Sequence, residues 1–208
     1  MILPHLPYED QLKDFKQDLP EWVFYSKEPV SKKEIEEQED DDFLFTDGYP
    51  SEPCPVSEHL EELIMLIRGY DFSKRKITKI AHHCTATLST ATPGAITRFW
   101  REQLGWKNPG YHVLIDAQGF YTLLQPFNLP SNGVRGINQT SLHIAYIGGI
   151  NNQGQGVDTR TPEQEKAIEI ISKELKKALP KATFHGHREF SNKLCPCYDI
   201  KTAYPQLF

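Results

Sequence analysis

"KITKIAHHCTAT", residues 76–87, is the stretch from which the rest of the chain can be ordered. Ile77, Thr78, Ile80, Thr85 and Thr87 make it rich in β-branched residues, which suits a strand ending near His83 better than a helix. Its far end carries His82, His83 and Cys84. Adjacent strand residues point to opposite faces, so only one of the two imidazoles can serve a site at the strand end.

C-terminal to this strand, helices and strands alternate. "TPGAITRFWREQLGW" (92–106) has Thr92 as a cap, Pro93 in the first turn, and Ile96, Phe99, Trp100 and Leu104 on one face. "YHVLIDAQGFYTLLQ" (111–125) is two apolar runs around a polar turn with glycine, which reads as a hairpin. "SLHIAYIGGI" (141–150) is a further strand stopped by Gly148 and Gly149. "TPEQEKAIEIISKELKKALP" (161–180) carries the strongest helix signals: Thr161 caps, Pro162 opens, Gln164 completes a capping box, and Pro180 ends it. Its buried stripe is Ala167, Ile168, Ile171 and Leu175. "ATFHGH" (182–187) is a last short strand before a short C-terminal helix. This order predicts an α/β domain, a central mixed β-sheet flanked by helices.

Residues 1–74 have a different texture. They hold 19 Asp/Glu against 7 Lys/Arg, whereas residues 75–208 hold 9 against 16, although the whole chain nets only −5. "KKEIEEQEDDD" (32–42) is an acidic run without apolar periodicity, and "YPSEPCPVS" (49–57) reads as an extended connector. A short helix follows, with Ser57 as cap, a stripe of Leu60, Leu63, Ile64 and Ile67, and Gly69 at its end. The expected division is an acidic N-terminal segment, 1–74, and a basic domain, 75–208. The opposed charges raise the expectation that the first folds back over the second as a mask, and that the second meets an acidic target.

Composition removes several classes. No window holds the roughly 18 apolar residues of a membrane span. The start, "MILPHLPYED", lacks the basic and apolar regions of a signal peptide, so synthesis in the cytoplasm is expected. Four cysteines in 208 residues are too few for a disulfide scaffold and read as reduced thiols or metal ligands.

Three strand ends carry imidazole or thiol groups: "AHHCTAT", "FHGHRE" and "NKLCPCYD". No paired CxxC is present, which argues against a closed structural zinc. An open catalytic zinc needs three protein ligands, and these can come from distant strands. By residue type alone the set stays open. His82 competes with His83, and His185, two before His187, competes with it. Cys195 and Cys197 could form a redox pair, although two cysteines around one proline make a strained ring.

The blocks "IAHHCTAT", "RFWREQLGWKNPGYHVLI", "IGGINNQGQ", "TPEQ" and "GHREFSNKLCPCYD" resemble, in order, the zinc-dependent N-acetylmuramoyl-L-alanine amidases. This is the amidase-2 family, which shares its fold with the peptidoglycan recognition proteins and includes the small amidase-type lysozymes of phages. The resemblance spans residues 76 to about 205. It implies Zn²⁺ held by His83, His187 and Cys195, with Tyr111 and Lys193 as catalytic groups. Tyr111 would orient the water or the intermediate, and Lys193 would stabilise the oxyanion. His82 would then pack on the far side of the sheet, and Cys84 and Cys197 would be bystanders.

The chain also departs from that pattern. Gly133 stands where many members have a loop histidine, and His143 stands where the family usually has glycine. His112, Arg135, Asn138 and His143 are expected substrate contacts; for His112 a structural role, and for His143 core packing, is the competing reading. The implied partner is peptidoglycan or its muropeptides, met by a monomer after release or export to the wall, with no nucleic acid and no membrane span. Two rivals remain: a non-catalytic peptidoglycan-binding module on this fold, and a cytosolic muropeptide-recycling amidase, in which an aspartate usually replaces the cysteine ligand.

Overall fold

The computed structural model describes residues 56–208. The acidic run at 32–42, Cys54, most of the connector at 49–57, and any masking role for these segments lie outside the described residues.

A five-stranded sheet in the order β3-β2-β4-β1-β5 forms the centre. Its strands are β1 (Lys79–Cys84), β2 (Val113–Ile115), β3 (Tyr121–Leu123), β4 (Ser141–Tyr146) and β5 (Thr183–Gly186). β1 pairs in parallel with both β4 and β5, β2 is parallel to β4, and only the β2–β3 hairpin is antiparallel. Helices cover both faces: α1 (Val56–Gly69) and α3 (Pro162–Ala178) on one, α2 (Pro93–Glu102) on the other. A short α4 (Ile200–Ala203) and a 3-10 turn (Pro205–Leu207) follow β5. With both faces covered, β1 is buried from Ile80 to Cys84 and β4 along its whole length, histidines included.

Local signals set the helix ends. Thr92 Oγ1 accepts the Ala95 N–H at 3.2 Å, and Pro93 opens α2. Thr161 and Gln164 form the reciprocal capping box at the start of α3, each bond 3.1 Å. Gln164 also donates to the carbonyls of Ile115 (3.2 Å) and Ile147 (3.0 Å), which ties the helix start to the ends of β2 and β4. No helix among the described residues is long and apolar enough to cross a membrane.

Charge set α1 apart with the acidic segment; packing joins it to the sheet. Leu60 and Leu63 are 0% exposed and Ile67 1%, all in the cluster that contains Ile168, Ile171 and Leu175 of α3. Arg68 Nε donates to Glu174 Oε2 at 2.8 Å across the same contact. After α1, the Tyr70 and Phe72 rings pack on Phe127 at 5.2 and 5.8 Å. Each buried leucine contributes on the order of 1.5–3 kcal/mol of transfer free energy, which outweighs the solvated charges on the outer face of a helix. The helix already begins at Val56, so Ser57 lies within it and is not its cap.

Parity sorts the side chains of β1. Ile80 and Cys84 face the α1–α3 layer. His82 does too: its ring nitrogens lie 3.0 Å from Tyr198 Oη and 3.0 Å from Ser172 Oγ of α3. His83 faces the opposite side.

Candidate active site

β1 lies beside the edge strand β5 and parallel to it, so the C-terminal ends of both strands meet. His83 is the penultimate residue of β1, and His187 opens the 3-10 turn His187–Glu189 that follows β5. The chain then loops back, closed by the Arg188 N–H to the Cys195 carbonyl at 2.7 Å and the Cys197 N–H to the Leu194 carbonyl at 2.7 Å. This return sets Cys195 against the two imidazoles.

His83 Nδ1 is 3.1 Å from His187 Nδ1 and 3.8 Å from Cys195 Sγ, and the donor atoms of all three residues lie within 4.8 Å of one another. Tetrahedral zinc with Zn–N of about 2.0–2.1 Å and Zn–S of about 2.3 Å separates its nitrogens by about 3.3 Å and nitrogen from sulfur by about 3.6 Å. The observed spacing and the donor types fit that ion. Burial, then the neighbouring His187, holds the His83 imidazole well below its ordinary pKa; burial, then Lys193, brings His187 down to about 4. Both rings are therefore neutral at pH 7, the form that ligates metal. The Cys84 backbone N–H donates to Cys195 Sγ at 3.2 Å, which helps hold the sulfur in place.

His187 and Cys195 line an open cleft of about 220 Å³, and His83 is buried beside them. The apolar wall of the cleft comes from α2, chiefly Ile96, Phe99 and Trp100, and Lys193 and Tyr111 also line it. The Tyr111 hydroxyl donates to the Cys84 carbonyl at 3.2 Å. The Tyr111 ring lies 4.9 Å from that of His83 and meets the edge of Trp100 at 5.3 Å. Lys193 is half-buried, and that burial lowers its pKa.

The structure thus brings together His83, His187, Cys195, Tyr111 and Lys193. It leaves His185 out: that ring is bonded to Glu189 Oε2 and Thr183 Oγ1, both at 2.8 Å. Cys197 Sγ sits 3.8 Å from Cys84 Sγ and donates to the Gly149 carbonyl at 3.4 Å, away from the two imidazoles. Gly149 is required there: its φ is +99°, and a Cβ would lie 2.5 Å from Cys84 Sγ.

The expected substrate contacts fare differently. His112 and His143 are both 0% exposed, which rules out direct contact with a muropeptide in this conformation. Asn138 braces its own loop, its Oδ1 accepting the Val134 N–H at 2.7 Å. Arg135 is exposed and stays available to a ligand. Sequence reasoning passed over Arg75, whose guanidinium donates to the carbonyls of Phe127 (2.9 Å), Leu129 (2.6 Å), Asn138 (2.8 Å), Gln139 (3.0 Å) and Ser141. Nothing in "SKRKITK" marks that one base out of four, because its acceptors are backbone groups far along the chain.

The family model for N-acetylmuramoyl-L-alanine amidase, Amidase_2, matches residues 73–198. The chain belongs to that family. The endolysin of Klebsiella phage KP32 is 33% identical to it over 132 residues, which is 62% of this chain and 87% of the phage protein. Among solved structures, the Ph2119 endolysin from a Thermus scotoductus bacteriophage aligns at a TM-score of 0.55 with 29% identity, covering 64% of this chain and 86% of that one. An N-acetylmuramoyl-L-alanine amidase, LysCS from Clostridium intestinale, has the same fold at a TM-score of 0.56 and 23% identity, over 64% and 85% of the two chains. The amidase family match begins at residue 73 and leaves α1 outside, although α1 packs on the matched part.

Proposed function

We propose that this amidase-family protein is a zinc-dependent endolysin that hydrolyses the amide between N-acetylmuramic acid and L-alanine in peptidoglycan. The observation that carries the reading is the His83, His187 and Cys195 donor set, within 4.8 Å, two of whose members line a cleft together with Lys193 and Tyr111.

His83 and His187 through Nδ1, and Cys195 through Sγ, would hold the ion. Bound zinc supplies Lewis acidity and a water acidic enough to furnish hydroxide near neutral pH. Lys193 places an ammonium in the cleft wall, where it stabilises the negative charge that develops on the scissile carbonyl oxygen. Burial keeps that ammonium poorly solvated and so strengthens its pull on a developing anion. Tyr111, anchored on the Cys84 carbonyl, presents its hydroxyl beside His83 and orients the attacking water. Ile96, Phe99 and Trp100 exclude bulk water and pack against the apolar parts of the lactyl–alanine junction. Cys195 weighs against the recycling branch, in which an aspartate usually takes that place, and the presence of all five groups favours an enzyme over a binding module.

Purified sacculi should lose turbidity with the protein and keep it when a chelator is added. The products should be peptides with a free N-terminal L-alanine, released from intact glycan. New reducing ends would instead mark a glycosidase and overturn the proposal.

A further inference from the structure

Gly133 and His143 compete for one space. A Cβ built on Gly133 would lie 2.3 Å from His143 Nδ1 and 2.4 Å from its Cγ. The backbone at 133 is outside the left-handed region, so the demand for glycine is steric: the histidine ring fills the room a side chain would need.

His143 pairs with Ala81 in the β4–β1 register, which puts it on the same sheet face as His83. Its Nδ1 is 3.0 Å from His83 Nε2. Its Nε2 is buried with no partner among the described residues, so the ring's one hydrogen bond there is the one to His83. The ring is also clamped from behind. The His143 backbone N–H donates to His112 Nδ1 at 3.0 Å, and the two rings stack 5.8 Å apart at 17°. On its far side His112 Nε2 lies 3.0 Å from the Leu129 carbonyl and 3.1 Å from Arg75 Nη1, so the ring is held at both nitrogens.

A histidine that ligates through Nδ1 carries its proton on Nε2, and a buried N–H needs an acceptor. For His83 the acceptor at hand is His143 Nδ1, and the arrangement leaves the His143 Nε2–H unpaired among the described residues. We propose that His143 is a positioning residue for the metal centre: it holds His83 in the Nε2–H tautomer with Nδ1 turned toward His187 and Cys195, and Gly133 stays small to admit it. The inference rests on the zinc reading above.

Substitutions in the full chain separate positioning from mere filling. His143→Leu fills the space but cannot accept a proton; His143→Asn keeps an oxygen near the place of Nδ1; Gly133→Ala pushes the intact ring away. Competition with a chromophoric chelator should show zinc affinity lowered about 10- to 100-fold by His143→Leu and by Gly133→Ala, the range for lost partners of ligating histidines. His143→Asn should stay close to the parent. Long-range proton–nitrogen NMR of the metal-free parent should find His83 protonated at Nε2, a readout independent of whether any variant folds. Equal zinc affinity in the parent and His143→Leu, an asparagine variant as weak as the leucine one, or an Nδ1–H tautomer at His83 would each overturn the inference alone. A parent that takes up no zinc would sink the metal reading and the inference with it.

Discussion

The Cys84 backbone N–H points at Cys195 Sγ from 3.2 Å, so one cysteine supports the sulfur of another through its main chain. Cys197 Sγ, two residues on, turns to the Gly149 carbonyl instead. Cys195→Ser should therefore lose zinc and activity together, and Cys197→Ser should keep both. Zinc content and sacculus turbidity, measured on the same preparations, check this. Equal damage from the two substitutions would reject Cys195 as the ligand.

Lys193→Met should leave zinc in place and lower turnover by about 100- to 1,000-fold, the cost of removing a single oxyanion donor. The methionine stem preserves the packing of this half-buried position, so the thermal midpoint should hardly move. A kinetic loss carried wholly by KM would assign Lys193 to substrate binding instead.

Tyr111→Phe keeps the ring against His83 and Trp100 and removes only the hydroxyl that reaches the Cys84 carbonyl. Turnover should fall by about 10- to 100-fold, at or below the low end for a proton-handling group, with zinc retained. Unchanged kcat would make Tyr111 a packing residue.

Leu63 tests whether α1 belongs to the catalytic body. It is 0% exposed in the shared core, so Leu63→Ala should cost about 2–5 kcal/mol in denaturant unfolding of the zinc-loaded protein. A cost near that of a surface change, within about 0.5 kcal/mol, would mean that α1 is dispensable.

Acid should weaken the same contact. Hydrogen bonds from Arg68 and then Lys177 hold the Glu174 carboxyl down to about 2, against an ordinary 4.5. A depressed carboxylate stabilises the fold fully above its unfolded pKa, and that stabilisation fades as pH drops from about 4.5 toward 2. Glu174→Gln should flatten this part of the stability–pH profile, read from unfolding midpoints between pH 5 and pH 2. A profile as steep as the parent's would assign the acid sensitivity elsewhere.

What could be read from the sequence was local. Thr92, Thr161 and Gln164 cap the helices they announce, and the hairpin and the five strands fall where apolar runs predict them. The assignment of His83 over His82 came from family likeness; the register of β1 against β4 and β5 now gives it a physical basis. Contacts made through space were not legible. The buried stripe of α1 was visible but its partner was not, so charge balance separated a helix that packing unites. The loss of a side chain at Gly133 and the gain of one at His143 looked like two departures, because ten residues of chain hide that they share one volume. Arg75 and the amide of Cys84 act on or through backbone groups, which leave no signature in residue identity.

One further consequence lies in the order of the chain. His187 and Cys195 stand 104 and 112 positions after His83, and both lie beyond the last strand of the sheet. The ribosome therefore makes all five strands before it makes the last donor atom. A nascent chain can carry the whole sheet before it carries the thiol, so the three-donor set is the last part of the scaffold to be completed.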